Sequence, residues 1–247
     1  MVIADPGQEL VRIVARSGDD PSPADAAAAL LLRRRFGVSL PPPFVRLAEG
    51  GAPPPVRAAE PIDVPALGAV RWRSTSRGYR GMVPDEVLAS ETPSPPLGWW
   101  RDQVTGAARP GAGHAVMVAG GRGSVVALCW LGPTQPWGHE VRRPTETSDD
   151  VDLGEVARFG VDPLAWGHGI GRALLAAAEA RLVALGFGHA VLWVMEANVA
   201  AQAFWEACGW RPDGGRQTVH AGRGVQVCEV RYRRALGPGR SSFWSGR

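Results

Sequence analysis

A glycine-rich turn that leads into a helix is the part of this sequence whose residue types most directly suggest chemistry. The run from Trp166 to Arg172 reads Trp-Gly-His-Gly-Ile-Gly-Arg, and an alanine-rich stretch follows it. The first turn of a helix has backbone N–H groups without intrahelical partners, and the helix dipole places partial positive charge there. Glycine also lets the backbone approach a ligand closely. The turn therefore predicts a phosphate or pyrophosphate site.

Two common nucleotide sites are excluded by residues that the chain lacks. A dinucleotide fingerprint has the pattern Gly-x-Gly-x-x-Gly. If it began at Gly167 its third glycine would be at position 172, and if it began at Gly169 it would be at position 174. The chain has Arg172 and Leu174 at these positions. The chain has no lysine, and its 27 lysine-plus-arginine residues are all arginine. A lysine-dependent phosphate loop and Schiff-base chemistry are therefore both excluded.

A second motif begins at Asn198 and reads Asn-x-x-Ala-x-x-Phe-Trp-x-x-x-Gly-Trp, ending at Trp210. With the glycine turn it resembles the acyl-CoA N-acyltransferases of the GNAT family. The pyrophosphate turn of that family is Gln/Arg-x-x-Gly-x-Gly/Ala, and its second signature is Asn-x-x-Ala-x-x-Phe-Tyr-x-x-x-Gly-Phe. A Tyr-Arg-Gly-Met-Val-Pro segment at 79–84 extends the likeness to about residues 55–235. Residues 1–54 carry no such resemblance.

The resemblance implies a fold and a cosubstrate. The fold is α/β (α+β mixed), with a mixed, mostly antiparallel sheet of about six to seven strands that is splayed at a cofactor groove and covered by helices on both faces. The cosubstrate is acetyl-CoA, whose acetyl group passes to a primary amine by direct attack in a ternary complex. Amides from His168 to Arg172 would face the CoA pyrophosphate, with a charge-assisted contact from Arg172. The residues expected to bind the cofactor are Phe159, Gly160, Val161, Trp166, Gly167, His168, Gly169, Ile170, Gly171, Arg172, Asn198, Phe204 and Trp205.

Two tryptophans depart from the family pattern. Trp166 replaces the polar first residue of the turn, which matters little because the turn binds through its backbone. Trp205 stands where the family commonly has the tyrosine that protonates the leaving thiolate, and an indole N–H is no proton source near neutrality. Water or another group would supply the proton, or the thiolate would leave unprotonated, since an ordinary thiol has a pKa of about 8.5. We favour a packing role for Trp205. The alternative function is a non-catalytic CoA-binding or regulatory module.

Glu155 is the expected catalytic residue. A base must remove a proton from the substrate ammonium before the amine can attack, and Glu155 lies on a predicted strand where the family often has such a carboxylate. A solvated or ion-paired role is the alternative. Asp150, Asp152 and His139, in the preceding loop, are rival bases.

Backbone and amide groups are expected to complete the site. The N–H groups near residues 159–161 would hold the oxyanion, and Gly160 could permit a bulge that splays the sheet for pantetheine. Asn198 would cap the helix that it precedes, or place its side-chain amide near the CoA arm, and both roles are compatible. Trp99 and Trp100 either line an acceptor pocket or belong to the core.

Hydrophobic periodicity predicts the elements that position these residues. The predicted helices are 62–77, 84–104 with an interruption at Pro93–Pro96, 169–185 and 199–208. The predicted strands are 56–60, 114–119, 124–131, 151–161, 189–195, 215–220 and 225–233, with a loop at 132–150. Strands that alternate with helices, flanked by antiparallel pairs, indicate a mixed sheet covered on both faces.

Composition sets the remaining expectations. A chain of 247 residues with 45% hydrophobic residues can form one domain with an appendage. We expect a proline- and alanine-rich appendage of unknown role at 1–54, the N-acetyltransferase domain at 55–235 and a basic, flexible tail at 236–247. Three cysteines without zinc-like spacing indicate a reduced, cytoplasmic setting and no metal site.

The partners expected from the sequence are few. A net charge of +3 is too small to indicate nucleic acid. No apolar run approaches the roughly 20 residues that a membrane helix requires. The acceptor is expected to be a small-molecule or peptide amine whose identity stays open, and a homodimer stays open as well.

Overall fold

The computed structural model describes residues 54–89, 97–134, 140–142 and 153–237. Several expectations lie outside the described residues, among them the appendage up to residue 53, the helix interruption at Pro93–Pro96 and the rival bases His139, Asp150 and Asp152. The tail from residue 238 onward lies outside them too.

A single sheet runs through the molecule. Its strands are β1 Val56–Ala58, β2 Ala115–Gly121, β3 Ser124–Pro133, β4 Glu140–Arg142, β5 Leu153–Val161, β6 His189–Met195, β7 Arg211–Gly222 and β8 Val225–Ala235. Their order is β1-β2-β3-β5-β6-β8-β7-β4. Every neighbouring pair is antiparallel except β5 and β6, which are parallel. The predicted mixed, mostly antiparallel sheet is confirmed.

The described part of the sheet has eight strands, one more than the upper end of the prediction. The additional strand is β4, which pairs with β7 inside the segment that the sequence indicated as a loop. Its three residues are too few for an alternating hydrophobic pattern to reveal. The strand β7 also begins at Arg211, earlier than predicted, because a register shift between Pro212 and Arg216 lets pairing with β8 resume across an irregular stretch.

Five helices cover the sheet in the described residues: α1 Val64–Gly78, α2 Asp85–Leu88, α3 Gly98–Ala107, α4 Ile170–Leu185 and α5 Val199–Ala207. Short 3-10 turns at Pro61–Asp63 and Pro163–Ala165 precede α1 and α4. Among the described residues, none of these helices has both the length and the hydrophobicity of a membrane span.

The two faces of the sheet have separate cores. On one face, called the α4 face, side chains such as Cys129 and Val156 pack with Leu174 of α4 and with Trp205 of α5. On the opposite face, called the α1 face, Leu128 and Trp130 of β3 pack with Leu67 of α1 and with Trp100 of α3. Successive residues of a strand point to opposite faces, so the pairing register assigns each residue of β5 to one core or the other.

A buried carboxylate joins the first strand, the first helix and the β2–β3 turn. Asp63 has no exposed surface and accepts hydrogen bonds from both terminal nitrogens of Arg57 at 2.7 and 2.9 Å. It also accepts from the backbone N–H groups of Glu60 at 2.8 Å and Gly123 at 2.7 Å. Burial raises the pKa of Asp63, but these hydrogen bonds prevail and hold the pKa below its usual value.

Candidate active site

A groove opens in the sheet between β5 and β6. The two strands pair only from Leu153 to Glu155 on β5, against His189 to Val191 on β6. In the described residues no backbone pairing joins them beyond that point, although β5 continues to Val161. The strands therefore part directly after Glu155, before Gly160, where the sequence predicted a bulge that splays the sheet.

The edge of β5 that faces this groove carries unpaired backbone groups. The N–H of Asp162 donates to the Val126 carbonyl of β3 at 2.8 Å. Antiparallel pairs alternate between residues that bond to the partner strand and residues that point away, so Phe159 and Val161 direct their N–H groups toward the groove. The indole N–H of Trp166 donates to the Val161 carbonyl at 2.9 Å from that side, which agrees with this orientation.

The expected bulge lies at Ala157 and not at Gly160. Leu131 pairs with Val156 and Trp130 pairs with Arg158, so Ala157 is the extra residue on β5. Gly160 keeps regular register with Leu128, and its hydrogen faces α1. A Cβ there would lie 2.7 Å from Ser74 Oγ, so glycine at 160 allows α1 to approach the sheet closely.

The glycine turn forms a helix N-terminus with open amides. Gly169 is the N-cap residue of α4, with a φ of 74° that favours glycine. The first helical bond runs from Ala173 N–H to the Gly169 carbonyl at 3.0 Å. The N–H groups of Ile170, Gly171 and Arg172 precede that bond and have no hydrogen-bond partner among the described residues. His168, Gly169 and Arg172 are exposed, so the cradle is accessible to an anion.

Asn198 caps α5, as one of its two predicted roles required. Its side-chain oxygen accepts from the Ala201 N–H at 3.0 Å. The residue is otherwise buried. The cap engages Oδ1, so Nδ2 is the atom that a CoA-binding role would use.

An aromatic cluster holds the two motifs and β5 together. Ring centroids of Trp205 lie 5.0 Å from both Phe159 and Phe204, and 5.8 Å from Trp210. A Cβ on Gly171 would lie 3.4 Å from the Phe204 ring, which is ordinary contact distance. Trp205 is 6% exposed, so in this structure it packs in the core of the α4 face.

Tyr232 is poorly suited to replace the missing tyrosine as a proton donor. It is buried on the α4 face, and its hydroxyl donates to Glu206 Oε1 at 2.9 Å. Burial, followed by the hydrogen bond with Glu206, raises the pKa of Tyr232 to about 12. A phenol of that pKa is a weaker acid than the thiol whose thiolate it would protonate.

Charged residues collect on the α1 face, beside the point where the strands part. Glu155 is 2% exposed, and Arg158 lies on the same face within electrostatic range of it. Burial lowers the pKa of Arg158, and the nearby Arg71 lowers it further, whereas Glu155 and Glu229 act in the opposite direction. The guanidinium carbon of Arg158 is 6.0 Å from the centroid of the Trp99 ring.

The two adjacent tryptophans have different positions. Trp100 is buried in the core of the α1 face. Trp99 is 37% exposed and lies against both Trp100, at 4.8 Å between centroids, and the Arg158 guanidinium. Of these two tryptophans, Trp99 is the one available to line a site on this face.

Glu229 and Gln217 are charged and polar residues of this face that the sequence reading did not single out. Gln217 Nε2 donates to Glu229 Oε2 at 2.6 Å, and burial raises the pKa of Glu229. A signal was present, because Glu229 continues the alternation of Val225 and Val227 along β8, where an acidic residue is out of pattern.

The structure thus brings most of the predicted residues to one groove. The glycine turn, Phe204 and β5 adjoin one another through the aromatic cluster, Asn198 begins the helix that carries Phe204, and Glu155 lies where β5 and β6 part.

Known proteins resemble this chain in family and in fold. The model of the acetyltransferase (GNAT) family matches residues 77–210. The chain matches none of the curated proteins with which it was compared.

Three similar solved structures have the same fold. The PaiA N-acetyltransferase of Thermoplasma acidophilum in complex with coenzyme A is 16% identical, with 73% of this chain and 98% of that chain covered and a TM-score of 0.54. A phosphinothricin acetyltransferase of Sinorhizobium meliloti in complex with AcCoA is 21% identical, with 76% and 90% covered and a TM-score of 0.54. The ribosomal-protein-alanine N-acetyltransferase of Brucella melitensis is 20% identical, with 73% and 99% covered and a TM-score of 0.50.

Proposed function

The chain belongs to the acetyltransferase (GNAT) family, and from this premise we propose that it moves an acetyl group from acetyl-CoA to a primary amine by direct attack in a ternary complex. One observation carries the proposal. The gap between β5 and β6, which begins after Glu155, adjoins a helix N-terminus whose first amides are open. A phosphate-bearing arm and a reacting group can therefore be held by one continuous groove.

The residues present fit acetyl-CoA. The amides of Ile170 to Arg172 are suited to the pyrophosphate, and Arg172 is exposed beside them. The outward N–H groups of Phe159 and Val161 can bond to the pantetheine arm as a strand would. Asn198 Nδ2 is the proposed amide contact. Similar solved structures that contain CoA or AcCoA support this ligand.

The chemistry assigned to the chain is limited to a few groups. Bound acetyl-CoA supplies a thioester as the activated acyl group. Glu155 takes a proton from the acceptor ammonium, which frees the nitrogen lone pair for attack. Of the N–H groups of Phe159 and Val161, the one that does not bond to the pantetheine arm holds the negative charge that develops on the thioester carbonyl oxygen. The carbon–nitrogen bond then forms and the carbon–sulfur bond breaks.

No tyrosine is required for the last step. Trp205 is buried in the aromatic cluster and cannot donate a proton near neutrality. A thiol of pKa about 8.5 leaves readily as the thiolate and takes its proton from solvent. We therefore expect Trp205→Tyr to leave kcat unchanged.

The domain bounds and the cellular compartment proposed for the chain are those predicted from its sequence. We propose that residues 55–235 form the acetyltransferase domain, with an appendage before it and a basic tail after it. All three cysteines are free, which supports a reduced, cytoplasmic setting. The acceptor is proposed to be a small-molecule or peptide amine.

Calorimetric titration tests the binding half of the proposal, and release of CoA thiol tests the catalytic half. We expect acetyl-CoA to bind with a Kd below the millimolar range, and at least one primary amine to stimulate thiol release. Absence of binding by the folded protein at millimolar acetyl-CoA would contradict the proposal.

A non-catalytic CoA-binding module is the second candidate function, because Trp205 occupies the position of the usual acid. Acetyl-CoA binding without thiol release across a broad amine panel would favour it. The domain would then serve in regulation.

A further inference from the structure

A tryptophan lies on each side of the opening between β5 and β6, on the α1 face. Within the described residues Glu155 is the last residue of β5 that pairs with β6, and its partner there is Val191. Trp193, two residues after Val191, points to the same face because side chains alternate along a strand. Its neighbours Leu192 and Val194 belong to the core of the opposite face. Trp193 is therefore the first α1-face side chain of β6 after the strands part.

Trp99 occupies the β5 side of the opening. The guanidinium carbon of Arg158, on β5 beyond the last residue paired with β6, lies 6.0 Å from the centroid of the Trp99 ring. The Trp99 ring is also 6.2 Å from the ring of Trp130. Trp130 Cη2 lies 3.4 Å from the position that a Cβ on Gly132 would occupy, and Gly132 pairs with Glu155. A series of contacts thus leads from Trp99 to the strand position beside the proposed base.

Both indoles are held in place by neighbouring groups, and both retain exposed surface. The Trp99 ring lies edge-on at 4.8 Å from the buried ring of Trp100, and Trp99 is 37% exposed. The Arg231 guanidinium lies 5.8 Å from the centroid of the Trp193 ring, and Asp213 binds Arg231 at 2.8 Å. Trp193 is half-buried. Large rings that are fixed and partly exposed beside a reaction centre are suited to bind an apolar part of a ligand.

The two indoles favour an aromatic group over an aliphatic one. An aliphatic chain that covers them would gain the burial of apolar area. An aromatic ring would gain that burial and would also pair with the indoles in an offset or edge-to-face arrangement. The described residues already show such arrangements, since Trp99 meets Trp100 edge-on and is tilted against Trp130.

The spacing of the strands limits the linker between such a ring and the reacting amine. Neighbouring strands lie about 4.8 Å apart, and each residue advances about 3.3 Å along a strand. Trp193 is one strand and two residues away from Glu155, so their Cα atoms are separated by roughly 8 Å. An amine that reaches Glu155 and a ring that reaches Trp193 are therefore joined by a short alkyl chain.

We propose that the acceptor is a primary amine joined by a short alkyl chain to an aromatic ring, and that Trp99 and Trp193 determine this specificity by contacting the ring. This inference rests on the proposed acetyl transfer. Glu155 takes one proton from the ammonium, and the nitrogen then bonds to the acetyl carbon as the carbon–sulfur bond breaks. The second proton of the nitrogen passes through solvent to the thiolate. The products are CoA and the N-acetylated arylalkylamine.

The test compares three acceptors that differ in the group attached to the amine, using the full chain and acetyl-CoA. Phenethylamine has an aromatic ring, cyclohexylethylamine has a saturated ring on the same carbon skeleton, and ethylamine has no ring. Measured by release of CoA thiol, kcat/KM for phenethylamine is expected to be about fivefold or more above that for cyclohexylethylamine, and about 50-fold above that for ethylamine. This comparison uses the wild-type protein and does not depend on the folding of any variant.

Variants then assign the preference to the two indoles. Trp99→Leu keeps an apolar side chain and removes the ring, so it is expected to lower kcat/KM for phenethylamine about tenfold, mostly through KM. The same variant should change kcat/KM for ethylamine by less than twofold. Trp99→Phe should restore most of the loss, and Trp193→Leu should repeat the pattern. Ile62→Ala, which removes an exposed apolar side chain just before α1, is the matched control and should behave as wild type.

Several results would overturn the inference. Equal kcat/KM for phenethylamine and cyclohexylethylamine would contradict the aromatic specificity, as would equal losses with phenethylamine and ethylamine in Trp99→Leu. If acetyl-CoA binds and ethylamine is acetylated as well as phenethylamine, this inference fails while the proposed function stands. If acetyl-CoA does not bind, the proposed function itself fails.

Discussion

The observed and the proposed role of the Asn198 side chain can be separated by substitution. The oxygen caps α5, and the proposed contact to CoA uses the nitrogen. Aspartate retains a capping oxygen of equal quality, whereas alanine retains neither group.

We therefore expect Asn198→Asp to keep the wild-type free energy of unfolding within about 0.5 kcal/mol and to weaken acetyl-CoA binding about tenfold. Asn198→Ala should lose about 1 kcal/mol of stability as well. Urea unfolding and calorimetric titration measure the two quantities. Unchanged affinity in Asn198→Asp would show that the amide does not contact the ligand.

At this scale the sequence predicts residues that belong to a contiguous motif. The open helix start at the glycine turn and the helix cap at Asn198 could be predicted because both depend on neighbours along the chain. Glu229 and Arg71 could not be placed, since their environment comes from strands and helices far away in sequence. The role of Trp205, at the position of the family's tyrosine, could not be decided from the sequence for the same reason. Its burial depends on the aromatic cluster, which includes Phe159 from a distant strand.

Among the elements, the start of α4 has two glycines that serve different purposes. Gly169 has a positive φ and an open surrounding. Gly171 is helical, and its missing Cβ points toward the Phe204 ring at ordinary contact distance.

Gly169→Ala should strain the N-cap by about 1–2 kcal/mol and misplace the amides, which we expect to raise the Kd of acetyl-CoA about tenfold. Gly171→Ala is the matched control and should change the Kd by less than threefold. Calorimetric titration of both variants checks this. Equal losses would mean that open space at the cradle, rather than the backbone conformation at 169, determines binding.

The Asp63 junction is a second element that can be tested. Asp63→Asn removes the charge that faces Arg57 and two backbone N–H groups, and we expect a loss of about 2–4 kcal/mol in the free energy of unfolding at neutral pH. The pKa of Asp63 is lowered in the fold, so its stabilisation is complete above the pKa of the unfolded chain. It disappears as the pH falls through the folded pKa.

Urea unfolding at several acidic pH values should therefore show wild type and Asp63→Asn converging as pH decreases. Asp102→Asn, at an exposed position of α3, should match wild type throughout. A constant difference between wild type and Asp63→Asn at all pH values would contradict the assignment.

Element types were largely predictable, and irregularities were not. Long helices and strands such as α4 and β6 have enough periodic residues to identify them. The sequence predicts a bulge at Gly160 because glycine tolerates bulges. The observed bulge lies at Ala157, where the pairing of β5 with β3 shifts by one residue. Register depends on the partner strand, and one strand read alone contains no information about its partner.

In the whole molecule, the sheet consists of two half-sheets, β1-β2-β3-β5 and β6-β8-β7-β4. Between them the backbone pairing is limited to Leu153–Glu155 against His189–Val191 in the described residues. We expect a ligand in the groove to contact both half-sheets and therefore to stabilise the molecule as a unit.

At a hundredfold excess over Kd, acetyl-CoA should add about 2.7 kcal/mol to the free energy of unfolding, which corresponds to a rise in Tm of about 5–10 °C. Hydrogen exchange should slow at the β5 edge, notably at Phe159 and Val161, as well as at the start of α4. Thermal melting and exchange mass spectrometry measure both effects. Protection at α4 alone would mean that the ligand does not span the groove.

The bulge at Ala157 means that the chain is one residue longer than its sheet requires. Val156 and Arg158 pair with adjacent residues of β3, so we expect a chain lacking Ala157 to keep every other residue of β5 on its present face and to lose the contact of Ala157 with the core of the α1 face. It would also lose the local bend that a bulge introduces. We therefore expect the shortened chain to fold and to have a narrower opening between β5 and β6.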